Sequence, residues 1–303
     1  ARQQMEKLNV AMIGGGFMGK AHAMAYAAMP MFFWPAPAIP VRKVVVDVNR
    51  EMSETARDRF GFEEASADWR AVVARPDIDI IDICTPNNSH AEIAIAAAEA
   101  GKHIICEKPL ARTGAESKTM LDAVLASGSI HMVAFNYRRT PAVALARKLI
   151  EEGRIGDILN FRGTYLQDWS ADPDSPLSWR FQKSVAGSGT VGDIGTHVID
   201  FARYLVGEIA SVNAVVKTHI TTRPRQSGGV DKLGVGGGDR NAERGPVDVD
   251  DEMLTMLRFS NGAIGSIEAT RNAYGRNNFL TFEIHGTKGS LAFNYERRDE
   301  LQV

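Results

Sequence analysis

Cysteine is nearly absent: Cys84 and Cys106 are the only two among 303 residues, too few for a disulfide framework. Each lies in a strand-like run, Ile-Asp-Ile-Cys and His-Ile-Ile-Cys, and reads as a core thiol. No apolar run approaches the roughly 20 residues of a membrane span. The opening residues, Ala-Arg-Gln-Gln-Met-Glu-Lys, hold neither a signal-peptide apolar region nor a twin arginine, so a cytoplasmic protein without a membrane partner is expected. Excess charge of one sign is also lacking, and a formal net charge of -2 argues against nucleic acid as a partner. His-Glu-x-x-His and cysteine clusters are missing, so no metal is expected. With 44% hydrophobic and 24% charged residues, the chain is globular and long enough for two domains.

Glycine is not scarce, and its placement is informative. Gly14, Gly16 and Gly19, with Phe17 and Met18 between the last two, follow the apolar run Leu8 to Ile13 and open an alanine-rich helical segment. A strand, a tight turn and a helix N-terminus in that order cradle a pyrophosphate on free backbone N–H groups. The next β-branched run, Val41 to Val46, ends in Asp47, 28 residues after Gly19. The usual spacing is about 20 residues, and the proline-punctuated segment from Pro30 to Pro40 accounts for the surplus. A carboxylate there accepts both ribose hydroxyls and repels a 2'-phosphate, favouring NAD over NADP. Arg50 beside it either flanks the adenine or neutralises such a phosphate.

Strand-like runs at 8–13, 41–46, 78–84, 103–106 and 130–134 alternate with helical stretches near 19–29, 51–60, 89–100 and 115–127. This alternation predicts an α/β protein whose first domain, residues 1–138, is a doubly wound parallel sheet. Residues 139–303 open with a helix from Pro141 to Glu152 and continue as strands at 157–166, 211–220, 250–259, 262–270 and 279–285. Turns such as Ser260-Asn261-Gly262-Ala263 predict a mostly antiparallel, open sheet for this second α/β domain. Residues 223–247 lack periodicity and read as a long loop, either solvated surface or a lid or subunit contact. Met31, Phe32, Phe33 and Trp34 are too apolar for a free loop and predict packing against their own domain.

Three segments carry chemistry. Thr85, Pro86, Asn87 and His90 follow the third strand run, at the carboxyl end of the sheet where cofactors lie. Pro86 and Asn87 border a nicotinamide ribose there, and His90 either joins them or anchors the helix start. Glu107-Lys108-Pro109 ends the next strand on the same rim. Lys108 can donate to a substrate oxygen, and its X-Pro bond is a candidate cis peptide. Asp193 and His197, four apart at the start of a helix, form an acid-base pair or a structural helix pair.

These residues together resemble the glucose-fructose oxidoreductase, inositol dehydrogenase and rhizopine-catabolism family. The matching elements are Gly-Gly-Gly-Phe-Met-Gly at 14–19, Thr-Pro-Asn-Asn-Ser-His at 85–90, Ala100-Gly101-Lys102-His103 through Cys106-Glu107-Lys108-Pro109-Leu110, Phe135-Asn136-Tyr137-Arg138-Arg139 with Pro141, Asp193-Ile194-Gly195-Thr196-His197, and Gly286-Thr287-Lys288-Gly289-Ser290. The resemblance implies an N-terminal Rossmann domain that binds NAD, and a C-terminal sheet that mediates a homodimer or homotetramer. It also implies Lys108, Asp193 and His197 as the catalytic set, Glu107 on the cofactor side and Tyr137 in the pocket. Members usually continue well past the Gly-Thr-Lys-Gly-Ser strand, so a chain ending at Val303 is expected to lack the elements that close its second domain.

The function this implies is NAD-dependent oxidation of a secondary alcohol on a cyclic polyol or sugar, of inositol, aldose or anhydrosugar type. Asp168, Trp169, Trp179 and Arg180 are its further substrate-side groups, because aromatic faces stack on sugar C–H surfaces and Asp and Arg bind hydroxyls. Both tryptophans also fit as plain core. Two other classes stay open: a glycosidase that uses tightly held NAD, and a noncatalytic NAD-binding regulator.

Overall fold

The structure is a computed structural model that describes residues 5–225 and 239–303. The chain divides into two compact units, Ala1–Ala134 and Phe135–Val303, against an expected division after residue 138. None of the helices among the described residues is long and apolar enough to cross a membrane.

The first unit runs β1 (Lys7–Ile13), α1 (Phe17–Phe32), β2 (Ile39–Val46), α2 (Arg50–Phe60), β3 (Glu64–Ser66), α3 (Trp69–Val73), β4 (Ile80–Ile83), α4 (His90–Glu99), β5 (His103–Cys106), α5 (Gly114–Ser127) and β6 (His131–Val133). Its strands form one parallel sheet in the order β3-β2-β1-β4-β5-β6, the doubly wound arrangement that the alternation predicted. Val10 to Ile13 at its centre are buried, as a continuous apolar run must be where both faces of a sheet are covered. β3 and α3 went unpredicted, being too short to show a period. Asn49 and Thr113 cap α2 and α5 by accepting the N–H of Met52 and Glu116.

In the second unit α6 (Pro141–Glu151), β7 (Ile158–Leu166), α7 (Lys183–Ala186) and α8 (Thr196–Leu205) precede β8 (Ile209–Lys217), β9 (Thr222–Pro224), β10 (Arg244–Pro246), β11 (Glu252–Phe259), β12 (Ile264–Thr270), β13 (Phe279–Gly286), β14 (Ser290–Asn294) and β15 (Leu301–Gln302). Seven of these strands form a sheet in the order β15-β14-β13-β7-β12-β11-β8, in which the β7–β12 pair is parallel and the others are antiparallel. Phe161, Tyr165, Val198, Phe201, Leu205, Met253 and Phe282 pack as one core between α8 and this sheet. The opposite face stays open: Val215, Leu254, Met256 and Ile264 are exposed.

Two expectations are corrected. Met31, Phe32, Phe33 and Trp34 do not pack against their own domain, being 76, 82, 61 and 77% exposed. α1 continues through Pro30 to Phe32 and carries them to its exposed end, and Ala36 is the buried member of that segment. The 223–247 stretch is not an unbroken loop, because β9 and β10 pair antiparallel at its two ends. Arg223 is fully buried there, donating to the carbonyls of Ser170 and Asp172 and lying 4.2 Å from the Phe181 ring centroid. The middle of the stretch lies outside the described residues.

Phe282 is 1% exposed and meets Phe293 and Phe201 at centroid separations of 5.3 and 5.6 Å. Phe282→Ala is expected to destabilise the second unit by about 3–5 kcal/mol. A urea midpoint that falls with an unchanged slope would bear this out.

Candidate functional site

At the glycine turn, Gly14 closes β1 by donating its N–H to the Val46 carbonyl at 2.8 Å. Its φ of 103° lies in the left-handed region, and a Cβ there would sit 2.6 Å from the Cys84 carbonyl oxygen. A Cβ on Gly19 would strike the Gly14 carbonyl oxygen, so α1 packs against the turn as only glycine allows. Gly16 starts α1 with no side-chain cap, which leaves the first-turn N–H groups facing outward for an acceptor that is not part of the chain. Phe17 is exposed there and Met18 half-buried. Asp47 adjoins this turn, its Oδ2 accepting the Gly15 N–H at 3.0 Å and its Oδ1 that of Val48 at 2.7 Å. Uncapped amides, close backbone approach and a carboxylate at the second strand end together fit a dinucleotide. Arg50 is exposed and donates to Glu54 one turn along.

The rims beyond β4 and β5 are tied together. His90 is fully buried, with Nε2 facing the Thr85 carbonyl at 2.9 Å and Nδ1 facing the Pro109 carbonyl at 3.1 Å. Burial holds its pKa below the ordinary value, although the carbonyls work the other way. A neutral ring has one N–H, so it donates to one of these two carbonyls, an arrangement that fits the reading of His90 as an anchor at the helix start. Ser89 donates to Thr85 Oγ1 at 2.7 Å, and Asn87 is buried. The Lys108–Pro109 peptide is cis, as anticipated.

Glu107, 5% exposed, is held from inside the unit. Its Oε1 meets His22 Nε2 at 3.0 Å and its Oε2 accepts the Lys108 N–H at 3.0 Å. His22 Nδ1 lies 3.0 and 2.9 Å from the two oxygens of Asp82, which is fully buried and also accepts the Tyr26 hydroxyl at 2.7 Å. Cys84 Sγ stands 3.5 Å from the same nitrogen. His22, Asp82 and Cys84 thus offer three ligand types within 4.8 Å of one another, but their atoms are engaged as hydrogen-bond partners.

In the second unit, Val191–Gly195 forms a π-helical turn that carries Asp193, and His197 sits in the first turn of α8. Such turns recur at functional sites. This one is fastened by Asp250, whose Oδ1 accepts the Gly189 N–H at 2.8 Å and whose Oδ2 accepts that of Val191 at 2.7 Å. Arg271, fully buried, donates from Nη1 to Asp193 Oδ2 at 3.2 Å and lies 5.1 Å from the Trp169 ring centroid. His197, 6% exposed, is walled by the rings of Tyr137, Phe135 and Tyr165 at 4.6, 6.0 and 6.0 Å. The Tyr137 and Tyr165 hydroxyls lie 2.9 Å apart, and both bond to Asn278. Burial raises the Tyr137 pKa, partly offset by those bonds.

Asp168 accepts the Gly275 N–H at 3.1 Å. Trp169 packs on Phe181 at 5.7 Å, favouring the core reading of that residue. Trp179 lies under the Arg180 guanidinium at 4.4 Å. Sequence reasoning missed His22, Asp82, Tyr165, Asn278, Asp250 and Arg271. His22, Asp82 and Tyr165 sit in a helix or strand and Asp250, Arg271 and Asn278 just outside β11, β12 and β13, each far along the chain from its partner, and none stands in a motif. A lone charged residue in an apolar strand, as with Asp82, was the available signal.

Residues 8–135 match the model of the oxidoreductase family with an NAD-binding Rossmann fold, and residues 143–292 match that of the GFO/IDH/MocA C-terminal domain. The chain is 72% identical over 300 residues to levoglucosan dehydrogenase of Pseudarthrobacter phenanthrenivorans, covering 99% of this chain and 76% of that protein. It is 30% identical over 301 residues to the NAD-dependent scyllo-inositol 2-dehydrogenase of Bacillus subtilis, covering 98% and 77% of the two chains. A levoglucosan dehydrogenase solved with NADH and levoglucosan superposes with a TM-score of 0.92 at 69% identity, over 98% of this chain and 76% of that one.

Arg271→Met removes the cation from a largely buried pair and is expected to destabilise the protein by about 3 kcal/mol, the scale of a broken buried ion pair. A urea titration showing a loss under about 1 kcal/mol, as for surface pairs, would mean that Asp193 does not need it.

Proposed function

Because the chain belongs to the GFO/IDH/MocA family of oxidoreductases and carries its NAD-binding Rossmann domain, we propose that it is a levoglucosan dehydrogenase, oxidising one secondary alcohol of that anhydrosugar. The observation that carries this reading is the 72% identity over 300 residues, set against 30% for an inositol dehydrogenase. Of the three function classes the residues left open, oxidoreductase is the one of the family itself.

NAD, when bound, accepts the hydride from the carbinol carbon. The other work falls to side chains. His197 takes the hydroxyl proton at a ring nitrogen, and Asp193 favours the imidazolium that results. Arg271 in turn holds Asp193 in place through an ion pair at 3.2 Å. Lys108 donates its ammonium N–H to the same oxygen and stabilises the charge that develops as the hydride leaves. Tyr137, Asp168, Trp179 and Arg180 bind the remaining ring hydroxyls and one sugar face. Asp47 holds the adenosine ribose diol, which favours NAD. The open apolar face of the second unit's sheet supports a homodimer or homotetramer.

The test of substrate is a panel of levoglucosan, myo-inositol, scyllo-inositol and glucose with NAD and NADP, followed by absorbance of the reduced nicotinamide. Levoglucosan with NAD should exceed the inositols by at least about tenfold in kcat/KM, the effect of one well-placed hydroxyl contact. Preference for an inositol would overturn the assignment. The test of residues is Lys108→Met, expected to lower kcat about 10²- to 10³-fold, beside His197→Ala, expected to lower it about 10²- to 10⁴-fold. NAD affinity, read by fluorescence titration, should stay near wild type in both, and a parallel loss of affinity would make them cofactor ligands instead.

A further inference from the structure

We propose that His22 is a permanently protonated positioning residue, an imidazolium clamped between the carboxylates of Asp82 and Glu107, that fixes the main chain from which Lys108 projects. The role assigned to it rests on Lys108 acting at the reacting oxygen.

Hydrogen-bond accounting leads there. Each nitrogen of the His22 ring faces a carboxylate, Nδ1 at 2.9 Å from Asp82 Oδ2 and Nε2 at 3.0 Å from Glu107 Oε1. An ionised carboxylate only accepts, and a neutral imidazole has a single N–H to give. Making both bonds therefore takes one more proton, on the ring or on a carboxyl group. Each carboxylate also accepts from a second donor, Asp82 Oδ2 from the Tyr26 hydroxyl at 2.7 Å and Glu107 Oε2 from the Lys108 N–H at 3.0 Å. Asp82 accepts on Oδ2 from Tyr26 and on Oδ1 from the Cys84 thiol at 3.6 Å, Glu107 accepts on Oε2 from the main chain, and we assign the remaining proton to the ring.

Every neighbour is compatible with that state. The ring on α1 is faced by Tyr26 of the same helix, by Asp82 of β4 and Cys84 just after it, and by Glu107 just after β5, with Cys106 and His90 behind. Burial pushes both thiols up, so neither adds charge at neutral pH. His90 is held toward its neutral form. Burial lowers the His22 pKa, but its bonds to Asp82 and Glu107 outweigh this and push it up to about 10.

The consequence reaches Lys108 through Glu107. Asp82 is 0% and Glu107 5% exposed, and without a cation between them two ionised carboxylates would share a dry site. One must then take up a proton or turn away. If Glu107 moves, the Lys108 N–H loses its acceptor and the lysine its aim.

Two measurements test this. In protein labelled with ¹⁵N-histidine, both His22 ring nitrogens should show the protonated chemical shift with no titration between about pH 5 and 8, the range in which an ordinary histidine deprotonates. A His22 signal that titrates near its ordinary value, or stoichiometric metal in the purified protein, would overturn the proposal. This readout needs no turnover, so it fails separately from the assignment of Lys108. In His22→Gln, kcat should fall up to about 100-fold, the scale of a small misplacement, while NAD affinity changes little. The deficit should deepen as pH rises, because a proton shared by Asp82 and Glu107 substitutes for the cation at low pH and is lost at high pH. A deficit that is the same at every pH would mark His22 as structural support only.

Discussion

A helix start leaves N–H groups without partners inside the helix, and the two units answer that constraint in opposite ways. At α1 nothing in the first turn is capped by a side chain, because Gly16 has none to offer. At the π turn before α8, Asp250 reaches from the strand side and takes the N–H groups of Gly189 and Val191. The open start suits a ligand that brings its own negative charge. The closed one holds Asp193 and His197 still.

Charge buried beside both places follows one pattern. Asp82 and Arg271 are fully buried, and neither is left to bear its charge alone. Asp82 has His22 and Tyr26, while Arg271 has Asp193 and the ring of Trp169. Isolated, each would cost several kcal/mol. Paired, each fixes the orientation of a group at the rim: Glu107 and the Lys108 main chain through His22, and Asp193 through Arg271. The charged interior thus acts on the rim, one residue removed from the chemistry.

The apolar surfaces divide just as clearly. α8 buries Val198, Phe201 and Leu205 against one face of the seven-stranded sheet, and the other face shows Val215, Leu254 and Met256 to solvent. Val215 and Val216 of β8 are both exposed, so this edge strand is uncovered on each side. The exposed run from Met31 to Trp34 has the same character. Its apolar composition was read as a reason for burial, and that inference fails because hydrophobicity says that a side chain favours cover without saying which surface provides it.

What the sequence determined by itself was everything set by local spacing. The glycines at 14, 16 and 19, the alternation of short β-branched runs with helical stretches, and the Asn-Gly turn at 261–262 dictated the parallel sheet, the cofactor turn and the second sheet's hairpin, because backbone conformation and period act within a few residues. Lys108, Asp193 and His197 could be singled out because they stand in motifs at element ends. Tertiary structure alone decided the partners that lie far away along the chain: His22 with Glu107, Arg271 with Asp193, Tyr165 and Asn278 with Tyr137, and the burial of Arg223. It also set the His90 ring between the Thr85 and Pro109 carbonyls. Those contacts depend on which strands become neighbours, and a one-dimensional pattern records that a charged residue needs a partner without recording where the fold will bring one.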